Sequence, residues 1–201
     1  MSNDALPPLN MFAAQQRLLV ERLNRLVANL HPLLRADVLH ALEEKGKILF
    51  RSHTDASLGN SPNPQPPALP AGTWPLLTLM VAQHITPNID PVYASSVAIA
   101  VECYVCALDL LDDVEDDDRT PVVQALGPAR TLNVSTTLLM LTQRAILSLS
   151  QRGIASERIL SLLDAVQEST LVATAGQHRD LLAEQRSAQD LTREECIEIA
   201  A

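Results

Sequence analysis

The residues of this chain with the most chemical potential form one acidic run, DLLDDVEDDDR, from Asp109 to Arg119. It places seven carboxylates within ten residues, directly after an apolar run, VAIAVECYVCAL. Residues three and four apart share a helix face, so Asp112 and Asp116 are expected to lie one above the other. Like charges at this spacing repel, and carboxylates at the C-terminal end of a helix also face the negative end of its macrodipole.

A bound divalent cation would reverse both penalties. Mg²⁺ is normally held by a few carboxylate oxygens, with waters and substrate phosphates completing its shell. The pattern therefore predicts a magnesium site at the end of this helix. A solvated acidic helix end that binds nothing is the alternative for any acidic run.

Length and charge limit the classes of protein to which this chain can belong. The chain has 201 residues, of which 47% are hydrophobic, enough for one substantial core and hence a single domain. It carries 15 Lys plus Arg against 24 Asp plus Glu, a net charge of -9. Phosphate-rich partners would be repelled, so no nucleic-acid partner is expected.

No basic segment precedes an apolar one at the amino terminus, and no window of about 18 residues is uninterruptedly apolar. We therefore expect a soluble, cytoplasmic protein with no integral membrane segment.

Cysteine usage agrees with that compartment. The three cysteines, Cys103, Cys106 and Cys196, are an odd number without a disulfide framework. Cys103 and Cys106 lie in an apolar helical run with no second cysteine pair at metal-binding spacing. We interpret both as core thiols.

Helical periodicity dominates the elements that must position the acidic run, so the chain is expected to be nearly all-α. The first expected helix carries an apolar stripe made of Leu18, Leu19, Leu23, Val27 and Leu30. The last one opens with Thr192 and Glu195 at capping-box spacing. The expected helices cover residues 11–30, 33–51, 75–85, 91–117, 121–151, 156–186 and 191 to the end. Residues 1–10 are expected to be a flexible terminus, and residues 52–72, with five prolines, a disordered loop.

An apolar helix followed by Asp112-Asp113-x-x-Asp116 resembles the first aspartate-rich motif of the trans-isoprenyl diphosphate synthases, the polyprenyl synthetase family. Further matches follow in the family's order over roughly residues 75–201. They are Glu102 ten residues before Asp112, Gly127 with the stretch ARTLNVSTTLLML, the segment GQHRDL at Gly176 to Leu181, and LTREECIEIA, which is similar to an LT-x-E-x-Y segment.

The resemblance implies an all-α, isoprenoid-synthase-type helical bundle around a central apolar cavity with metal sites at its mouth. It implies a Mg²⁺-dependent prenyltransferase of isoprenoid biosynthesis, which condenses an allylic prenyl diphosphate with isopentenyl diphosphate. Asp112 and Asp116, with Asp113 assisting, would hold the Mg²⁺ that neutralises the leaving diphosphate. By the same resemblance Arg119, Gln177 and Asp180 would bind substrate, and the protein would form a homodimer.

The residues near the first aspartate also bear on product length. In that family the fourth and fifth positions before it limit the depth of the cavity, and here they are Leu108 and Ala107. Neither is aromatic, so longer products are expected.

Two family features have no counterpart in the sequence. PAGTWP at residues 70–75 stands where the basic segment for isopentenyl diphosphate is expected, and no second aspartate-rich motif follows. We therefore expect an N-terminal fragment of a longer synthase, with residues 11–201 forming one partial domain that lacks the C-terminal helices. A degenerate relative is the alternative. A class I terpene cyclase, a peptide-modifying prenyltransferase and a non-catalytic helical protein also remain open.

Overall fold

The computed structural model describes residues 10–45, 73–184, 186 and 191–200. Within these ranges every regular element is a helix, which confirms the all-α prediction. The α-helices are α1 (Asn10–Val27), α2 (Pro32–Glu44), α3 (Thr73–Ile85), α4 (Pro91–Glu115), α5 (Pro121–Leu126), α6 (Pro128–Leu147), α7 (Ser156–Glu184) and α8 (Arg193–Ala200), and a short 3₁₀ helix, Ser148–Arg152, lies between α6 and α7.

Helix α4 is the centre of the fold. The side chain of Asp90 caps its start by accepting a hydrogen bond from Val92 N at 2.8 Å. Helices α1, α3 and α6 all pack against it. The approach of α6 is close enough for the hydroxyl of Ser135 to donate to the carbonyl oxygen of Ala107 at 2.9 Å. Among the described helices α4 is also the one long and apolar enough to cross a membrane, by length and composition, and its neighbours bury most of that apolar stretch.

The apolar stripe of α1 faces this core as predicted. Leu19, Leu23 and Val27 are buried, while Leu18 and Leu30 are partly buried at its edges. The predicted core thiols are also confirmed, since Cys103 and Cys106 are both buried. Burial raises the pKa of both thiols, which keeps them protonated and unreactive.

The single helix expected over residues 121–151 is divided. Gly127 has φ 75° and ψ 158°, a conformation that favours glycine, and it separates α5 from α6. Pro128 then occupies the first turn of α6, where its missing N–H is not needed. The last residues of the expected helix form the 3₁₀ turn instead.

Helix α4 also ends earlier than expected, at Glu115 rather than Asp117. Asp117 has φ 55°, in the left-handed region that aspartate tolerates better than most residues, and it turns the chain away from the helix axis.

The capping box predicted for the last helix is confirmed. Thr192 N donates to Glu195 Oε2 at 2.8 Å, and Glu195 N donates to Thr192 Oγ1 at 3.2 Å. Other expectations fall outside the described residues. These are the flexible terminus over residues 1–9, the extension of α2 over residues 46–51, and the proline-rich loop over residues 52–72.

Candidate functional site

A cavity of about 280 Å³ lies between the C-terminal half of α4 and the C-terminal half of α7, and we call it the acidic cavity. Its wall combines apolar side chains with carboxylates and other polar groups. The apolar part is formed by Leu108, Leu111, Leu181 and Ala173; the polar part is formed by Asp109, Asp112, Glu115, Thr174, Gln177 and His178.

Helical periodicity explains why both helices contribute. On α4, Leu108, Leu111 and Glu115 follow one another at steps of three or four residues, and so share one face. On α7, Thr174 and Gln177 do the same. Each helix therefore presents one stripe to the space between them.

Gln177 connects the two helices of the site, because it lies on α7 and contacts the end of α4. Its Nε2 donates to Asp116 Oδ1 across 3.5 Å, at the long limit for such a bond, although the two residues are 61 positions apart. Gln177 also hydrogen bonds to the side chain of Glu115. The structure thus places two residues predicted for the site, Asp112 and Gln177, in the wall of the acidic cavity. Asp116 is not a lining residue, and it is connected to the wall through Gln177.

Asp113 has a different environment from its neighbours. It is buried and lies outside the cavity wall. Its carboxylate accepts hydrogen bonds from Lys45 Nζ at 2.6 Å and from Thr120 Oγ1 at 2.8 Å. These contacts fasten the end of α2 and the start of α5 to α4, and they do not support a direct role for Asp113 in holding a metal ion.

Arg119 and Asp180 are not brought to the cavity. Arg119 is exposed in the segment between α4 and α5, and Asp180 is partly buried on α7. Neither lines the acidic cavity as the structure describes it. Their predicted contact with substrate stays a prediction.

Sequence reasoning did not single out Glu115, Asp109 or His178 as cavity residues. Glu115 lies three residues after Asp112, so helical spacing alone would have placed both on one face. His178 follows Gln177 inside the GQHRDL segment and lies one turn before Leu181. All three could have been found from their helical spacing to other lining residues, because none of them is an aspartate of the Asp112-Asp113-x-x-Asp116 motif.

The negative charge at this end of α4 is only partly compensated. Burial raises the pKa of Asp112, and the charges of Asp116, Asp113 and Asp109 raise it further, while Lys45 acts in the opposite direction. Burial and the charges of Asp112 and Asp116 also raise the pKa of Glu115, against the hydrogen bond from Gln177. A cation bound here would relieve this repulsion.

No protein-family model, curated protein or solved structure matches this chain. The likeness to the polyprenyl synthetases therefore stands on the sequence motifs alone.

The carboxylates at this end of α4 suit a Mg²⁺ ion that shares its coordination shell with water and substrate phosphate. In the described part of the chain, no group of three or more His, Cys, Asp or Glu side chains is arranged to hold a metal ion. Asp112 and Asp116 nevertheless project from successive turns of one helix end. Mg²⁺ in phosphate-handling sites is commonly bound by one or two carboxylates, with water and substrate phosphate as its other ligands. Asp112 and Asp116 fit this kind of binding, and not a site in which the protein supplies every ligand.

Proposed function

We propose that the protein binds an allylic prenyl diphosphate together with Mg²⁺ in the acidic cavity and transfers the prenyl group to isopentenyl diphosphate. The observation that carries the proposal is the meeting of Asp116 and Gln177 beside a wall of leucines. Asp112 and Gln177 come from two motifs that resemble the same family, and they line one cavity although they are far apart in sequence.

The cavity wall includes groups that suit both parts of such a substrate, the diphosphate and the hydrocarbon tail. Asp112 and Asp116 would hold the Mg²⁺, which when bound neutralises the diphosphate as it leaves. Gln177 has an amide N–H₂ with two donors, so it can orient Asp116 and also donate to a diphosphate oxygen. Leu108, Leu111 and Leu181 would cover the hydrocarbon tail and keep water from the allylic cation.

Activity and ligand binding should be tested with two variants of equal charge change. Asp112→Asn removes a carboxylate from the cavity wall, whereas Asp118→Asn removes an exposed one from the same acidic run. With Mg²⁺, farnesyl diphosphate and labelled isopentenyl diphosphate, wild type and Asp118→Asn should form longer prenyl diphosphates and Asp112→Asn should not.

Thermal unfolding provides a second readout that does not require turnover. Mg²⁺ with inorganic diphosphate should raise the melting temperature of wild type and Asp118→Asn, and should raise that of Asp112→Asn much less. Equal shifts in all three proteins, or no shift in any, would contradict binding at the acidic cavity. No effect of Mg²⁺ on any protein would favour a non-catalytic helical protein.

One observation favours a class I terpene cyclase as the second candidate. The described wall of the acidic cavity includes carboxylates but no Lys or Arg, so a second diphosphate finds no cationic partner there. A cyclase needs only one diphosphate substrate. The low aromatic content of 2% argues against it, because aromatic faces commonly stabilise the cations of such enzymes. Consumption of farnesyl diphosphate without isopentenyl diphosphate would identify this activity.

A further inference from the structure

A second cavity of about 450 Å³ lies near the other end of α4, and we call it the arginine cavity. Residues of α1, α4, α6 and the 3₁₀ helix line it. Four arginines line it: Arg22, Arg25, Arg144 and Arg152. Ser96, which also lines it, precedes Asp112 by sixteen residues of the same helix. At about 1.5 Å per residue, the two cavities are therefore roughly 24 Å apart along α4.

These arginines have few acidic partners. Arg25 pairs with Glu21, and Arg22 donates from Nη1 to the hydroxyl of Ser96. The Nε of Arg22 is buried and has no hydrogen-bond partner within the described residues. Arg144 and Arg152 are exposed, and neither side chain forms an ion pair in the part of the chain that the structure describes. The cavity thus has more donors than acceptors.

The charges around Arg22 show the same imbalance. Burial lowers the pKa of Arg22, and the positive charges of Arg152 and Arg25 lower it further. Asp90 and Glu21 are the acidic groups that oppose this effect, and they do not cancel it. Guanidinium groups that crowd one cavity in a protein of net charge -9 are repelled by each other unless an anion lies between them.

We propose that the arginine cavity is a binding site for a small organic phosphate or diphosphate. Arginine presents a planar fork of N–H donors that matches phosphate oxygens in pairs, and Arg144 and Arg152 have this fork available. Two available guanidinium groups call for a ligand with at least two negative charges. Leu26, Ile99 and Leu147 line the same space and would contact an apolar portion of the ligand. The volume is within the range of small-molecule sites.

Isothermal titration calorimetry with inorganic diphosphate in EDTA tests this site alone. Without a divalent metal the acidic cavity repels anions, so failure here is separate from failure of the proposed prenyl transfer. Wild type should bind one diphosphate. Arg144→Gln and Arg152→Gln should each weaken binding by about tenfold or more, since each removes a charge-assisted hydrogen bond.

Arg17→Gln is the matched control. Arg17 is exposed on α1, lies outside the cavity, and its loss changes the net charge by the same amount. It should bind diphosphate as wild type does. Because Arg144 and Arg152 are exposed, their variants should keep the wild-type circular dichroism spectrum and melting temperature.

Two results would overturn the proposal. One is the absence of saturable binding by wild type, and the other is equal weakening in Arg17→Gln, which would reveal only overall charge. A parallel sedimentation assay with phosphatidylcholine vesicles, with and without phosphatidic acid, identifies the source of the phosphate. Binding of free diphosphate without vesicle binding indicates a soluble ligand. Recruitment by phosphatidic acid that is lost in Arg144→Gln indicates a lipid headgroup at the same site.

Discussion

Asp112 and Asp113 are adjacent carboxylates of one motif, yet we expect their replacement by Asn to have opposite effects on stability. Asp113→Asn should destabilise the fold because it leaves Lys45 without its partner at 2.6 Å. Asp112→Asn should stabilise it, because Asp112 lies among other carboxylates at the exposed end of α4.

The magnitudes follow from exposure. The side chain of Asp113 is 7% exposed and that of Lys45 is 22% exposed. Removing one partner of a fully buried ion pair costs about 3–5 kcal/mol, and the partial exposure of Lys45 reduces this to about 2–3 kcal/mol. For a chain of this size that is a fall in melting temperature of about 4–12 °C. Asp112→Asn removes two like-charge contacts at helical spacing, with Asp109 and Asp116, which amounts to a gain of about 0.4–1 kcal/mol.

Urea unfolding followed by circular dichroism, in EDTA, measures both changes. Asp118→Asn, on an exposed carboxylate of the same run, should change the free energy of unfolding by less than about 0.5 kcal/mol. A double-mutant cycle with Lys45→Met should recover most of the Asp113 effect as coupling energy. The reasoning is refuted if Asp113→Asn is neutral or stabilising, or if Lys45 and Asp113 show no coupling.

Three further predictions concern pH, backbone conformation and cavity depth. Folding raises the pKa of Asp112 above its ordinary 3.8, so this carboxyl binds its proton more tightly in the folded state than in the unfolded state. Its contribution to stability is therefore present below pH 3.8 and is lost as the pH rises through the higher pKa of the folded state. In urea unfolding, the stability advantage of Asp112→Asn over wild type should increase over the same rise in pH. Gly127→Ala should cost about 1–3 kcal/mol in the same assay, entirely through backbone strain at φ 75°, since no atom lies within 4 Å of the added Cβ. Leu108→Phe should narrow the acidic cavity and shorten the products seen by mass spectrometry. Ala107→Phe should instead destabilise the fold by at least about 1–3 kcal/mol in urea unfolding, because Ala107 is fully buried against α6.

Helical periodicity predicted much of what is local. It predicted the buried stripe of α1 and the helix in which the core thiols of α4 lie. It could not place Asp113, because the partner Lys45 is 68 positions away and only the packing of α2 beside α4 brings the two together. The break at Gly127 was missed for a different reason, since the sequence does carry a local signal for it in the pair Gly127-Pro128, which is typical of a turn.

The arginine cavity shows the same limit more strongly. Its four arginines come from α1, α6 and the 3₁₀ helix, and only Arg22 and Arg25 have a spacing that sequence alone would group. The composition shows that the chain is acidic overall. It does not show that four arginines line one cavity.

The placement of the two cavities separates positive from negative side-chain charge along α4. Arginines surround the positive end of that helix and carboxylates its negative end, so side-chain charge adds to the macrodipole instead of cancelling it. In physiological salt, electrostatic forces between exposed charges decay over about 8 Å, so the two ends respond to ions independently of each other. At about 0.01 M salt the decay length grows to roughly 30 Å, comparable with their separation, and an ion bound at one end then alters the field at the other. Ionic strength thus determines how strongly the charges at the two ends of α4 influence each other.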